Sequence, residues 1–493
     1  MKYRVIAIFS CLFMLGAILG LSLLPETRSA RFHQHRDAPE KEPCSFPHSE
    51  ETLCSHLPLL ILDTNGVVIP GRPVVGPDQK LMYYTKAEDG RKSIDATLEV
   101  IDHEREYNHP EDEAELTSAV RIHIRGRSSR YFDKPNYSLR LVKENGKNRP
   151  LPLLGMPAHH EWILHGPFLD KTLLQNYMWY NLAGELMDYA PQVRFCELLL
   201  NGHYEGVYVL TERITAGKNC RLTLDVRKKT NFFSGYLLRL DRGKQDEMQD
   251  ISTFTDYTGR METQLNIEYP GKGNLTPEIR DSISRDFSRF EKALYSFDYR
   301  DPQYGWPALV DADSFVNYFL INELCCNYDA GSLSTYIYKE PGQKYRLCVW
   351  DFNNACDHYQ QNSMVEPQRF ELHRKLWFEM LCRDSHFTEQ IIRQYRALRK
   401  SIFSNAFLEQ YIDDVVTFLG PAIERDYARW GYAYSPSHDL LKPAERNPRS
   451  YEEAVYGVKT FLRSRTAWMD THIECLRQYS ADSAVKRFKT VTE

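Results

Sequence analysis

An α+β fold is what the sequence predicts, with an antiparallel sheet in the N-terminal part and a mainly helical C-terminal part. Three observations carry that expectation. Before His358, short segments alternate apolar and polar residues and are separated by turn residues, as half-buried strands are. One of the joints, Asn201-Gly202, is a strong hairpin signal. Beyond His358 the apolar residues recur at helical spacing instead.

In chain order, Met1-Lys-Tyr-Arg4 and the uncharged apolar run Val5–Leu24 make residues 1–24 a signal peptide or a signal anchor. The basic residues ahead of the run hold that end in the cytoplasm. The body is therefore expected outside it, periplasmic or at the cell surface, membrane-anchored or secreted. Residues 25–56, rich in His, Pro and charge, form an extended linker. A core follows over 57–369, then a helical C-terminal region packed on it over 370–480, and a polar tail over 481–493.

Within the core, Leu57–Leu62, parts of Lys80–Ile101, Val120–Ile124 and Tyr137–Val142 are expected strands. Leu169–Leu186 is an expected helix with Asp170 at its N-cap. Val193–Leu200 and Gly206–Leu210 pair across Asn201-Gly202, and Glu212 follows the second strand. Gly235–Leu240 is a further strand, and Gln245–Pro270 is polar and irregular, an insertion or a lid. Thr276–Tyr295 and Asp311–Cys326 are amphipathic helices. Leu372–Leu381, Phe387–Phe403, Phe407–Leu419 and Tyr451–Leu476 are the later ones, with Tyr427–Pro448 a long loop between them.

Composition narrows the function. A net charge of −5 and a pI near 6.4 give no basis for a nucleic-acid partner. Of the 11 cysteines, Cys11 lies in the leader, and the others show no CxxC and no zinc-site spacing. Cys44 and Cys54 flank a short loop and suit a disulfide in an oxidising compartment. Cys348 and Cys382 sit in or beside apolar segments, as core residues do. His159, His160 and His165 have no paired carboxylates at ligand spacing and are assigned structural roles. That absence of a His-rich cluster disfavours a metal-dependent phosphatase or nuclease.

The chemistry concentrates in Asn327–His358. Thr335–Lys339 and Lys344–Trp350 are expected strands joined by Glu340-Pro-Gly-Gln343, with Tyr336 opposite Leu347 and Asp351 opposite Ser332. Asp329 precedes the first strand and Asp351 follows the second, so both carboxylates emerge at the open end of the hairpin. With Ser334, Asn353 and Asn354 nearby, they offer oxygen ligands for a hard cation such as Mg²⁺. Protein kinases use a related order: a catalytic Asp, an Asn five residues on, then a metal-binding Asp. Here the fifth residue after Asp329 is Ser334. Arg125-Gly-Arg-Ser-Ser129, between two strands, is a turn able to wrap an anion, and Lys134 adds a point charge for phosphate.

From Leu57 to Leu476 the chain resembles the CotH kinase family, named after a spore-coat protein. Arg125–Ser129 through Lys134-Pro-Asn-Tyr137 is similar to the family's RGNS-T-W and Lys-rich stretch. Asp170–Asn176 is similar to D-x-S/T-x-L-R-N, and Asn201–Glu212 matches NG-x-Y-x-G-V-Y-x-L-x-E throughout. Asn327-Tyr-Asp329 and Trp350-Asp-Phe-Asn353 stand where the family has N-x-D and W-D-x-D. The resemblance implies an atypical protein-kinase-like fold, ATP with Mg²⁺ or Mn²⁺, and transfer of the γ-phosphoryl group to Ser or Thr of an exported protein substrate. It assigns proton acceptance to Asp329, metal to Asp351, Asn353 and Ser334, and nucleotide contacts to Arg125, Gly126, Ser128 and Lys134. Glu212 either marks the edge where adenine docks through the main chain or pairs with a lysine. Asn353 replaces the family's second Asp and Ser334 an Asn, while Arg127 replaces Asn and Gln175 replaces Arg. One carboxylate fewer weakens cation binding. The alternative implied is a catalytically degenerate surface or coat protein acting in adhesion or assembly.

Overall fold

Strict alternation along the early strands closes them into a barrel. The structure, a computed structural model, describes residues 30–42, 53–217, 220–242, 247–251, 254, 263–358 and 367–480. By contacts the chain divides into a short N-terminal unit, Met1–Phe32, and the body, His33–Glu493. Seven strands form the barrel: β1 (Leu59–Asp63), β2 (Ile94–Ile101), β3 (Leu116–Arg125), β4 (Asn136–Val142), β5 (Glu161–His165), β6 (Val193–Leu200) and β7 (His203–Glu212). They run in the order β1-β6-β7-β5-β4-β3-β2, and β2 closes onto β1. The β1–β6 pair is parallel and every other pair antiparallel. Asn201 and Gly202 both take positive φ, 50° and 77°, as the hairpin signal requires.

Inside the barrel lie Leu60, Leu62, Val120, Ile122, Leu139, Leu164, Leu198 and Leu210, all fully buried. The alternate residues of β5 to β7, among them Ile163, Phe195 and Val209, point outward into a second and larger core. That core is shared with α1 (Gln175–Leu186) and a five-stranded antiparallel sheet. The sheet comprises β8 (Tyr236–Arg242), β9 (Asp250–Ile251), β10 (Thr263–Tyr269), β11 (Thr335–Lys339) and β12 (Arg346–Cys348), in the order β9-β10-β8-β11-β12. The helices α2 (Pro277–Tyr295), α3 (Ala312–Leu324), α4 (Leu376–Leu381), α5 (Ser385–Leu398), α6 (Asn405–Leu419), α7 (Pro421–Trp430) and α8 (Tyr451–His472) follow. Thr276, Asp311, Asp384, Ser404 and Ser450 accept from main-chain N–H groups at the starts of α2, α3, α5, α6 and α8. Mixed strands and helices make the fold α+β.

Several elements differ from the sequence expectation, each for a local reason. The helix expected from Leu169 begins at Gln175, because Leu173 takes φ +64° and Asp170 is spent on a turn, accepting from Thr172 N. Asp170 is thus not the N-cap residue, yet its other oxygen accepts from Gln175 N at 2.8 Å, so it still satisfies the helix start. Gln245–Pro270 is no wholly irregular insertion, since its described part supplies β9 and β10, with Leu265 and Ile267 buried. The loop expected over Tyr427–Pro448 begins inside α7, which Pro421 opens at its first position. Residues 25–56 are not a free tether throughout. Gln34–Asp37 forms a helical turn, Gln34 exchanges two hydrogen bonds with the main chain of Phe195, and His33 Nδ1 lies 3.0 Å from Tyr411 Oη.

Cys348 and Cys382 are buried core residues. Cys44, and with it the suggested Cys44–Cys54 disulfide, lies outside the described residues. So does Val5–Leu24. Among the described residues no helix is long and apolar enough to cross a membrane.

Candidate functional site

The two aspartates emerge at the same end of the β11–β12 hairpin, although its register is one residue from the expected one. Tyr336 faces Cys348, and Ile337 faces Leu347. The ladder stops at Cys348 rather than running to Trp350, and Asp351 takes φ +59°. A strand would have pointed successive side chains to opposite faces. The left-handed turn frees Asp351 from that constraint.

Four side chains hold this turn. Asp351 N donates to Tyr180 Oη at 3.0 Å, and Asn327 Nδ2 donates to Asp351 O at 3.2 Å. Asn176 grips the next two residues, accepting from Phe352 N at 3.1 Å and donating to Asn353 Oδ1 at 2.7 Å. Asn354 Nδ2 donates to Asp329 Oδ2 at 2.7 Å, which ties the two acidic segments together directly. Asp329 itself sits in a turn after α3, where its carbonyl accepts from Ser332 and Leu333.

The electrostatics agree with that proximity. Burial, with the Asp329 charge added, pushes the Asp351 carboxyl up to about 6, against the pull of Arg125. Burial also raises the Asp329 carboxyl, opposed by Lys375, Arg242 and the Asn354 hydrogen bond, while Asp241 adds to the rise. Lys375 was not singled out from sequence. Its ammonium donates to the carbonyls of Tyr328 and Ala330, beside the Asp329 turn. Asp241 lies near the end of β8, next to β11, and Arg239 pairs with it at 2.9 Å.

Of the residues expected to meet nucleotide, Arg125 joins the aspartates. It ends β3, half-buried, with its guanidinium 5.5 Å from the Trp350 ring centre, and among the described residues that guanidinium has no hydrogen-bond or ion-pair partner. Gly126 takes φ +106°, and a Cβ there would run into Ser129 Oγ, so this turn needs glycine. Ser128 is exposed and starts a short helical turn, Ser128–Tyr131. Arg130 braces the loop by donating to Gly126 O at 2.7 Å and Gly71 O at 2.9 Å.

Lys134 is buried and paired with Asp426 of α7, and the same Asp426 oxygen accepts from Val207 N at 2.8 Å. Its charge neighbours are Asp426, Glu205 and Asp170, where Asp351 has Arg125. Glu212 is buried at the end of β7, where it accepts from Gln192 N at 3.3 Å. Ser334, at φ +49°, lies just before β11, and no hydrogen bond joins it to either carboxylate. His165 is buried between Tyr180 and Trp350, with both ring nitrogens unpartnered among the described residues and burial holding it down to about 3.

The donor set fits a hard divalent cation of the kind bound by one or two carboxylates, with a substrate's phosphate oxygens completing the shell. Asp329 and Asp351 supply the charge, and Asn353 a neutral oxygen already shared with Asn176. Among the described residues, no three His, Cys, Asp or Glu side chains converge as a metal cluster. The protein is thus an α+β chain that keeps two coupled carboxylates and an unpaired arginine at one sheet end. It belongs to the CotH kinase protein family, whose model matches residues 122–469, most of the chain. A search of curated proteins found no match.

Proposed function

We propose that this protein is an exported atypical protein kinase that transfers the γ-phosphoryl group of ATP to Ser or Thr of a secreted or surface protein. The observation that carries this reading is the coupling of Asp329 and Asp351 in one buried field beside the unpaired Arg125. A bound Mg²⁺ or Mn²⁺ would neutralise phosphate charge there, with Asp351 and Asn353 as its holders. Arg125 and the Gly126 turn receive phosphate oxygens, and Asp329 accepts the hydroxyl proton of the acceptor residue. A carboxyl raised by burial is a better proton acceptor than a solvated one. Asn176, Asn327 and Tyr180 keep Asp351 in place, and the Lys375 charge opposes the rise that burial gives the Asp329 carboxyl. Export rests on the apolar run Val5–Leu24 behind a basic start.

One observation favours the second reading, a catalytically degenerate surface or coat protein: Asn353 carries no charge and its oxygen already accepts from Asn176. Two measurements separate the readings. Millimolar Mn²⁺ with ATP is expected to raise the melting temperature of a nucleotide binder. Radiolabel from ATP is expected to reach protein with the parent chain, and to fall by about 10²–10⁴-fold with Asp329→Ala, the usual contribution of a general base. Absence of both a thermal shift and labelling would establish the degenerate reading.

A further inference from the structure

Strand register sets three polar side chains in one row at the end of the barrel. Arg125 of β3 lies opposite Asn136 of β4, and Tyr137 opposite Leu164 of β5, which puts Asn136 level with His165. His165 in turn lies opposite Val209 of β7. Ile124, Tyr137 and Leu164 fill the barrel interior, whereas Val209 faces the larger core. Side chains alternate between faces along a strand, so Arg125, Asn136 and His165 all project outward. Asn136 is used by the turn after β5, where its Oδ1 accepts from Gly166 N at 2.7 Å. The other two have no such use. The Arg125 guanidinium lies 5.5 Å and the His165 ring 5.8 Å from the centre of the Trp350 ring, and both reach it from the barrel side. Among the described residues neither has a hydrogen-bond partner.

His165 is only 2% exposed, and a buried imidazole with both nitrogens unmatched is costly to the fold. Burial and the Arg125 charge keep the ring neutral, so it offers one N–H donor and one lone pair. A fixed cation beside a neutral N–H is a donor set for an oxyanion. We propose that Arg125 and His165 form one oxyanion subsite, the guanidinium and the imidazole N–H donating to oxygens of the same phosphate group. Half-buried Arg125 is its mouth and His165 its floor. Trp350 runs directly into Asp351, so a phosphate held there lies beside the carboxylate assigned to the cation. His165 thereby becomes a substrate-binding residue. That the phosphate belongs to ATP rests on the proposed kinase reading, whereas the subsite itself does not.

Titration calorimetry with inorganic pyrophosphate, on the full chain without metal, reads this subsite apart from any catalysis. His165→Phe keeps an aromatic ring of similar size and removes both ring nitrogens. The ligand-free variant is expected to melt at or above the parent, because two unmatched buried polar atoms are gone. Its pyrophosphate affinity should fall about ten- to a hundredfold, the usual worth of a hydrogen bond to a charged group. His165→Gln offers an N–H donor again and should retain most of the affinity, whereas Arg125→Ala should lose it as His165→Phe does. In the parent chain labelled with ¹⁵N-histidine, pyrophosphate should shift one pair of imidazole resonances, the pair missing from His165→Gln. Equal pyrophosphate affinity of His165→Phe and the parent, or no binding by the parent, would overturn the subsite. Unmoved imidazole resonances would do the same, whether or not His165→Phe folds. Pyrophosphate binding by a parent chain that does not bind Mn²⁺–ATP would keep the subsite and count against the kinase reading.

Discussion

Asp351 is the residue at which the candidate chemistry can be read as a titration. In an unfolded chain its carboxyl titrates near 3.8, and in the fold near 6, because burial and the Asp329 charge both disfavour ionisation. Between those pH values the folded chain holds a proton that the unfolded chain has released. The contribution of Asp351 to stability is therefore fully present below about pH 4 and lost as pH rises through about 6. Asp351→Asn keeps the shape and removes the charge. It is expected to stabilise the metal-free protein by about 1–2 kcal/mol at pH 8 and to change little at pH 4. Melting curves at the two pH values check this. The same variant should abolish the stabilisation by Mn²⁺, and in the parent chain Mn²⁺ affinity should fall about tenfold per pH unit below about 6, as protons compete for the ligand. A pH-independent Mn²⁺ affinity would place the cation on other residues.

At the scale of elements, α7 shows what the sequence conveyed and what it withheld. Six of the seven barrel strands were legible because alternation and Asn201-Gly202 are local signals, and so were the helix starts at Thr276 and Asp311; β5, buried at every position, carries no alternation and was missed. The pairing of Asp329 with Asp351 was legible too, since a hairpin brings its own ends together. Lys134 was not, because its partner Asp426 is 292 residues away and no local pattern announces such a contact. Arg125, from the same loop, keeps its guanidinium free beside the aspartates. Closure of the barrel by a parallel β1–β6 pair was equally non-local. The Lys134 pair belongs to a wider set of contacts that dock α7 on the barrel: Arg425 binds Glu197 at 2.8 and 2.7 Å, Trp430 Nε1 donates to Glu205 O at 2.9 Å, and a Cβ on Gly206 would strike Asp426. Lys134→Met strands Asp426 as a buried charge and is expected to cost about 3–5 kcal/mol. Lys134→Met combined with Asp426→Leu should recover most of that loss, measured by urea unfolding. The folded double variant should bind Mn²⁺–ATP as the parent does. Lost binding in that variant would return Lys134 to the phosphate.

Across the whole molecule, the position of Asp329 depends on the last long helix. Arg465 of α8 and Glu323 of α3 are both fully buried, and Arg465 donates to the carboxylate at 2.6 Å and to Glu323 O at 2.9 Å. Glu323 also accepts from Glu371 N at 2.9 Å, and Arg465 donates to Pro367 O at 2.9 Å. This network fixes the C-terminal end of α3, from which the Asp329 turn departs. The larger core is likewise continuous, running from Leu57 through the second sheet to Leu476. The barrel interior is a core of its own ahead of position 369, but the larger core is shared by residues on both sides of it. Calorimetry of the full chain is expected to show one unfolding transition, and a chain ending at Arg369 should lack cooperative unfolding, because it leaves Glu323 without its counter-ion and the outer face of α3 without cover. Arg465→Met in the full chain tests the link to the site more gently. It should cost about 3–5 kcal/mol and weaken Mn²⁺–ATP binding at temperatures where the chain is still folded, since the Asp329 turn loses its anchor. Two resolved transitions, one of them retained in the chain ending at Arg369, would mean that the site is built by the N-terminal part alone.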